Sequence, residues 1–405
     1  MHRTSSMAAS RMLALSCCLA LSACGGGSGG GATPAPPVAS TTPPPVAPTP
    51  PTTPTGYDAG VANLSALAAF PVGVAVAGGT EPLSLPKTPQ EQAIVTKHFS
   101  QVTPGNIMKM SYLHPAQDTY DFTQADELVN YASAHGIAVH AHTLVWHSDY
   151  QVPAFMKNFT GDKAAWLALM DDHVTHIASH YAGKVASWDV VNEALLDGGG
   201  YRPSLFYKNM GTDYIDHAFK AARAADPQAT LYYNDYNIEA DAGKLASLTG
   251  MLDGLKARGV PIDGVGFQMH VFMDYPSVAQ IKASLQQVVD RGLKVKISEL
   301  DIPINNPYSA AYQSGDVKTA YTLELGLQQK KRYCEVIQAY MDTVPAAQRG
   351  GVVVWGASDP SSWLIQQLFN GKHDDWPLLF DGQYRDKPAL RGVADALTGK
   401  ACTAS

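Results

Sequence analysis

The chain has 405 residues, and its 29 basic and 36 acidic side chains leave a formal charge of −7. That length suits two average domains or one large barrel. No cluster of Lys or Arg offers a polyanion a seat, so nucleic acid is not an expected partner.

The first 23 residues carry Arg3 and Arg11 and then an apolar stretch over 12–21, too short to cross a bilayer. This pattern predicts an export signal. It closes on Leu21-Ser22-Ala23-Cys24-Gly25, which resembles a bacterial lipobox. Lipidation of Cys24 would anchor the protein at the cell surface or outer membrane, while ordinary cleavage after Ala23 would release it. Residues 24–56 are Gly-rich and then Pro/Thr/Ala-rich, without one charge, which is the composition of a tether. Residues 57–405 remain as a single folded domain. Once Cys24 is set aside, Cys334 and Cys402 are the thiols left to that domain. An oxidising compartment permits them to pair, and two separate thiols fit equally well.

Within the domain, short apolar runs alternate with amphipathic stretches. Strands are expected over 70–76, 106–110, 137–146, 185–192, 230–234, 265–270, 294–300 and 351–355. Several are apolar on both faces, as strands of a buried parallel sheet are. Helices are expected between them, for example over 162–181, 244–258 and 277–291, the last two stopping at Gly259 and Gly292. Strand then helix eight times predicts an α/β fold, a (β/α)8 TIM barrel. An open doubly wound sheet would need a Gly-rich phosphate turn after its first strand, and Gly78-Gly79-Thr80 lacks that spacing.

Chemistry in such a barrel gathers at the C-terminal ends of the strands. Two carboxylates stand there, Glu193 after Trp188-Asp189-Val190-Val191-Asn192 and Glu299 in Ile297-Ser298-Glu299-Leu300-Asp301. A pair of this kind is what a retaining glycosidase needs, one acid to protonate the leaving oxygen and one carboxylate to attack the anomeric carbon. Asn192 precedes the first. Asp301 shares the face of the second, and Gln268 and His270 share a face at the end of the sixth strand. A donor from His270 would hold a neighbouring carboxylate ionised. The histidines of the third strand, His140 and His142, have no zinc-motif spacing and no thiolate partners, so neither a metal nor any other cofactor is expected. Trp146, Trp355 and Trp363 suit a sugar cleft, where an indole stacks on a pyranose face.

The runs 188–194, Leu231-Tyr232-Tyr233-Asn234-Asp235-Tyr236-Asn237, 262–270, 297–302 and Val354-Trp355-Gly356 resemble glycoside hydrolase family 10, the endo-1,4-β-xylanases. The resemblance implies Glu193 as general acid/base with a raised pKa and Glu299 as nucleophile, supported by His270, Asp301 and Asn192. It implies sugar contacts from Asn106, Lys109, His142, Gln268, Trp146, Trp355 and Trp363, with Tyr236 on the leaving-group side. The implied partner is xylan or its oligosaccharides, bound by a monomer. Two positions depart from the pattern: Gly105 stands where a Glu is usual, and Asp149 where Gln is usual. Both positions normally grip the sugar before the cleavage point, so weaker reliance on that subsite is expected, at about 1–3 kcal/mol per lost hydrogen bond. The other readings are a hydrolase of another β-linked glycan and a non-catalytic glycan-binding protein.

Overall fold

The structure, a computed structural model, describes residues 57–405. The expected signal, lipidation site and tether, over 1–56, lie outside the described residues. Eight parallel strands close into a barrel in sequence order: β1 (Val72–Val76), β2 (Gln101–Pro104), β3 (Ala138–Trp146), β4 (Ser187–Asn192), β5 (Thr230–Asp235), β6 (Gly264–Phe267), β7 (Lys294–Leu300) and β8 (Arg349–Val354). Each leads to an outer helix: α1 (Pro89–His98), α2 (Thr123–Ala134), α3 (Lys163–His180), α4 (Asp213–Ala225), α5 (Ala242–Ala257), α6 (Val278–Val289), α7 (Leu323–Thr343) and α8 (Pro388–Leu397). Helix starts follow the local chemistry. Asp162 and Asp241 accept from the third backbone N–H of α3 and α5, and Ser277 with Gln280 forms a reciprocal capping box at α6.

Seven of the expected strands match within a few residues; the second does not. The run 106–110 is a turn leading into the short helix Met110–Leu113, and β2 lies just before it. β2 escapes an apolar reading because Gln101 points into the barrel, where its Oε1 accepts from Lys296 Nζ at 2.6 Å. The barrel floor is polar elsewhere too. His140 Nε2 and His142 Nδ1 lie 3.0 and 2.9 Å from Asp189 Oδ2, so these two histidines of β3 serve one buried carboxylate.

The apolar core fills the ring between sheet and helices, with Val74, Val190, Leu231, Val265 and Ile297 fully buried on the strands. At the end of the chain, Cys334 in α7 is bonded to Cys402. Of the two cysteine readings, pairing is the one observed; it staples the tail beyond α8 to the barrel wall.

Candidate active site

β4 is buried along its whole length, and the residue after it leaves the strand. Glu193 adopts left-handed backbone, φ 57°, and its N–H donates to Asn234 O at 2.9 Å. A non-glycine residue persists there only when its surroundings hold it, and such residues concentrate at functional sites. Sheet register sets the neighbours: Trp146 lies beside Asn192, Asn192 beside Asn234, and Asn234 beside Gly266. Only glycine fits at 266, since a Cβ would stand 2.3 Å from Asn234 Oδ1.

The Glu193 carboxylate collects donors. Trp146 Nε1 and Gln268 Nε2 reach it at 3.0 Å, Asn192 Nδ2 at 3.3 Å, and His147 Nε2 lies 3.2 Å away. Burial pushes this carboxyl up, but the His147, Gln268 and Trp146 contacts together outweigh it and hold the group well below the usual carboxylate range. The raised pKa expected of Glu193 is therefore absent from the free site. The arrangement stabilises the ionised form.

Glu299 is held differently. Its Oε1 accepts from Asn234 Nδ2 at 2.7 Å, and its Oε2 lies 3.3 Å from His270 Nε2. The other nitrogen of His270 is 2.9 Å from Asp301 Oδ1, and Asp301 Oδ2 accepts from the indole of Trp363 at 2.9 Å. Burial disfavours the imidazolium, yet the two carboxylates prevail and raise His270 to about 10. A cation thus sits between Glu299 and Asp301 at neutral pH. The same Asn234 amide that serves Glu299 also donates to Asn192 Oδ1 at 2.9 Å, and Ser298 Oγ donates to Asn234 Oδ1 at 2.6 Å, which fixes the amide's orientation. Glu193 and Glu299 are joined by an unbroken run of amides.

The remaining expected residues fall around this pair, with one exception. Lys109 is buried, donates to Asn106 Oδ1 at 3.0 Å and lies 4.7 Å from the Trp146 ring centroid. Burial brings its pKa down to about 8, against the pull of Glu299, Glu193 and Glu81. His142 meets the Trp355 ring edge-on at 5.4 Å, and Trp363 meets His270 at 5.0 Å. On the opposite side Tyr236 accepts from Arg202 at 3.0 Å, while Arg202 Nε donates to the Glu193 carbonyl at 3.1 Å.

Asp149 is the exception. The chain turns at Ser148, whose carbonyl accepts from the N–H groups of Gln151 and Val152, so Asp149 faces out, 88% exposed and 3.3 Å from Lys157. Gln151 is the residue that turns inward, bonded to Ser111. Sequence reasoning gave no role to His147, Arg202, Glu81 or the buried Lys244, which pairs with Asp235 and Asp197 beneath Tyr236. His147 adjoins Trp146 and was within reach of a motif reading; the others depend on tertiary contacts.

Two carboxylates in unlike settings, Glu299 buried and Glu193 partly so, at the ends of β7 and β4 of a (β/α)8 barrel and flanked by tryptophans, define the class as a glycoside hydrolase. Residues 62–396 match glycosyl hydrolase family 10, and the chain belongs to that family. It is 50% identical over 361 residues to endo-β-1,4-xylanase Xyn10C of Cellvibrio japonicus and 45% identical over 365 residues to endo-1,4-β-xylanase A of the same species. Those alignments cover 86% and 84% of this chain but 59% and 57% of the relatives, so the chain spans under two thirds of their length. Among solved structures, a mutant of xylanase 10C from Cellvibrio japonicus in complex with xylopentaose superposes with a TM-score of 0.83 at 49% identity, covering 86% of this chain and 71% of that one.

Proposed function

We propose that the chain is an endo-1,4-β-xylanase that hydrolyses internal xylosidic bonds with retention. The carrying observation is the pair Glu193 and Glu299, each at a strand end and tied to the other through Asn192, Asn234 and Gln268. Glu299, steadied by the His270 cation, attacks the anomeric carbon as Glu193 passes its proton to the leaving oxygen. The glycosyl ester that results is then opened by water, whose proton returns to Glu193. The crowd of donors around Glu193 suits this second, base-catalysed half. For the first half the proton must be present, so bound substrate has to weaken those contacts.

The xylan reading is supported by the family and by relatives named as xylanases. The signal-like N-terminus and Cys24 support export with a lipid anchor, the domain held off the membrane by residues 24–56. Monomeric action fits a cleft built from one barrel.

Activity on xylan, cellulose and aryl glycosides, with proton NMR of the first-formed anomer, tests the reading. Xylan should be cleaved to β-anomers, and Glu299→Ala should abolish turnover. Hydrolysis persisting in Glu299→Ala would reject the assignment, and preference for cellulose would reject the substrate.

A further inference from the structure

The loop after β1 carries a carboxylate that the catalytic pair does not use. Its chain folds back on itself: Ala77 bridges Ser84, Leu85 N–H donates to Ala77 O at 3.0 Å, and Glu81 N–H donates to Gly78 O at 3.1 Å. Gly78 lies so close to Ile107 that a Cβ would stand 2.3 Å from its Cδ1. Outside contacts pin the turn further, since Gln124 accepts from Thr80 N–H at 2.8 Å and Lys87 donates to Gly79 O at 2.6 Å. Glu81 is therefore presented on a fixed frame.

From that frame Glu81 reaches the β2 loop. Its Oε1 accepts from Asn106 Nδ2 at 2.7 Å, and its Oε2 accepts from Gly78 N–H at 3.0 Å. Asn106 Oδ1 in turn accepts from Lys109 Nζ. Direction is thereby imposed on the whole row: Glu81 can only accept, Lys109 can only donate, and the amide between them cannot flip. Two of the four lone-pair positions on Glu81 are used, and protons remain unspent on Asn106 and Lys109. A row offering both acceptors and donors matches the vicinal hydroxyls of a pyranose. Beside it, Gly105 leaves space, because an added Cβ would meet nothing closer than Val76 O at 3.5 Å.

We propose that Glu81 is a specificity-determining residue, supplying from the β1 loop the carboxylate that position 105 lacks and so rebuilding the glycone-side subsite next to Asn106 and Lys109. The inference rests on the xylan-cleaving reading and corrects the expectation that this subsite is simply depleted. Its effect depends on substrate length. A short oligosaccharide relies on every subsite, whereas polymeric xylan has contacts to spare.

Steady-state kinetics on xylotriose, xylotetraose, xylohexaose and xylan, for the parent, Glu81→Ala, Glu81→Gln and Glu81→Ala/Gly105→Glu, test it. Glu81→Gln keeps the shape but leaves one acceptor oxygen for two donors, so its amide NH2 is set against either Asn106 Nδ2 or the Gly78 N–H. Both single variants should lose about tenfold in kcat/KM on xylotetraose, the size of one charge-assisted hydrogen bond, chiefly through KM. Loss on xylan should be small, and Gly105→Glu should restore most of the deficit. Equal loss on every length, no loss, or no rescue would overturn the proposal. Titration calorimetry of xylotetraose into Glu299→Ala with and without Glu81→Ala separates the two readings. A tenfold weaker Kd supports Glu81 even if turnover of xylan fails, and an unchanged Kd overturns Glu81 even if xylan is cleaved.

Discussion

Removing His147 should raise the pKa of Glu193. His147 Nε2 lies 3.2 Å from Glu193 Oε2, with the two side chains 22% and 14% exposed, so water screens the contact only in part. A hydrogen bond to a charged group contributes about 1.5–3 kcal/mol, and one pKa unit is about 1.36 kcal/mol. Partial exposure places the effect at the low end, an upward shift of about one unit in His147→Ala. His147→Gln, which retains a neutral donor, should show less. Because Glu193 and Glu299 share a network, pH–rate limbs belong to the pair, and the direct measurement is carboxyl 13C NMR titration with Glu193 assigned through Glu193→Gln. A Glu193 resonance that titrates as in the parent, or lower, would refute the reasoning.

The same shift has a consequence for stability with a definite sign. Glu193 is depressed in the folded site, so it contributes stability above its unfolded value, about 4.3, and that contribution is lost as pH falls through the folded value. His270 is raised to about 10, so its contribution is full below its unfolded value near 6.5 and fades as pH climbs toward 10. Between them lies a window, from about pH 5 to 6.5, in which both ionisations favour the fold. His147→Ala should reduce the stability that Glu193 contributes inside that window, leaving its acid edge, set by the unfolded value, in place.

Much of this architecture was legible because buried parallel strands are apolar on both faces and their helices are not. β2 was hidden for a physical reason: Gln101 and Thr103 face a polar barrel floor, so the strand does not look apolar, while Ile107, Met108 and Met110 are apolar in a turn. Short apolar runs do not distinguish strand from loop or helix. The two carboxylates at the strand ends were readable, but the charge balance at Glu193 was not, because it depends on four side chains from three strand ends meeting one carboxylate. Asp149 failed for a related cause. Its role was carried over from the family's usual Gln at that position, and the turn at Ser148 swings the side chain outward. Glu81, 25 residues from Asn106, belongs to no motif, and only the folded chain brings the two together.

Two further variants probe the frame around the site. The Cys334–Cys402 bond closes a separation of 68 residues, for which loop entropy gives about 4 kcal/mol. Cys402→Ser should therefore lower the melting temperature by about 5 °C with activity at 25 °C retained, and an unchanged transition would show that the tail is held by packing alone. Trp363 invites a sharper test, because it does two things at once: its ring faces His270 and its indole N–H donates to Asp301. Trp363→Phe keeps the ring and deletes the donor. Asp301 then has one partner fewer with which to hold His270 against Glu299, so kcat should fall about tenfold while KM stays near the parental value. Trp363→Ala, which also removes the wall, should raise KM as well. If Trp363→Phe turns over like the parent, the tryptophan acts only as a surface for sugar, and the chain of contacts supporting Glu299 ends at Asp301.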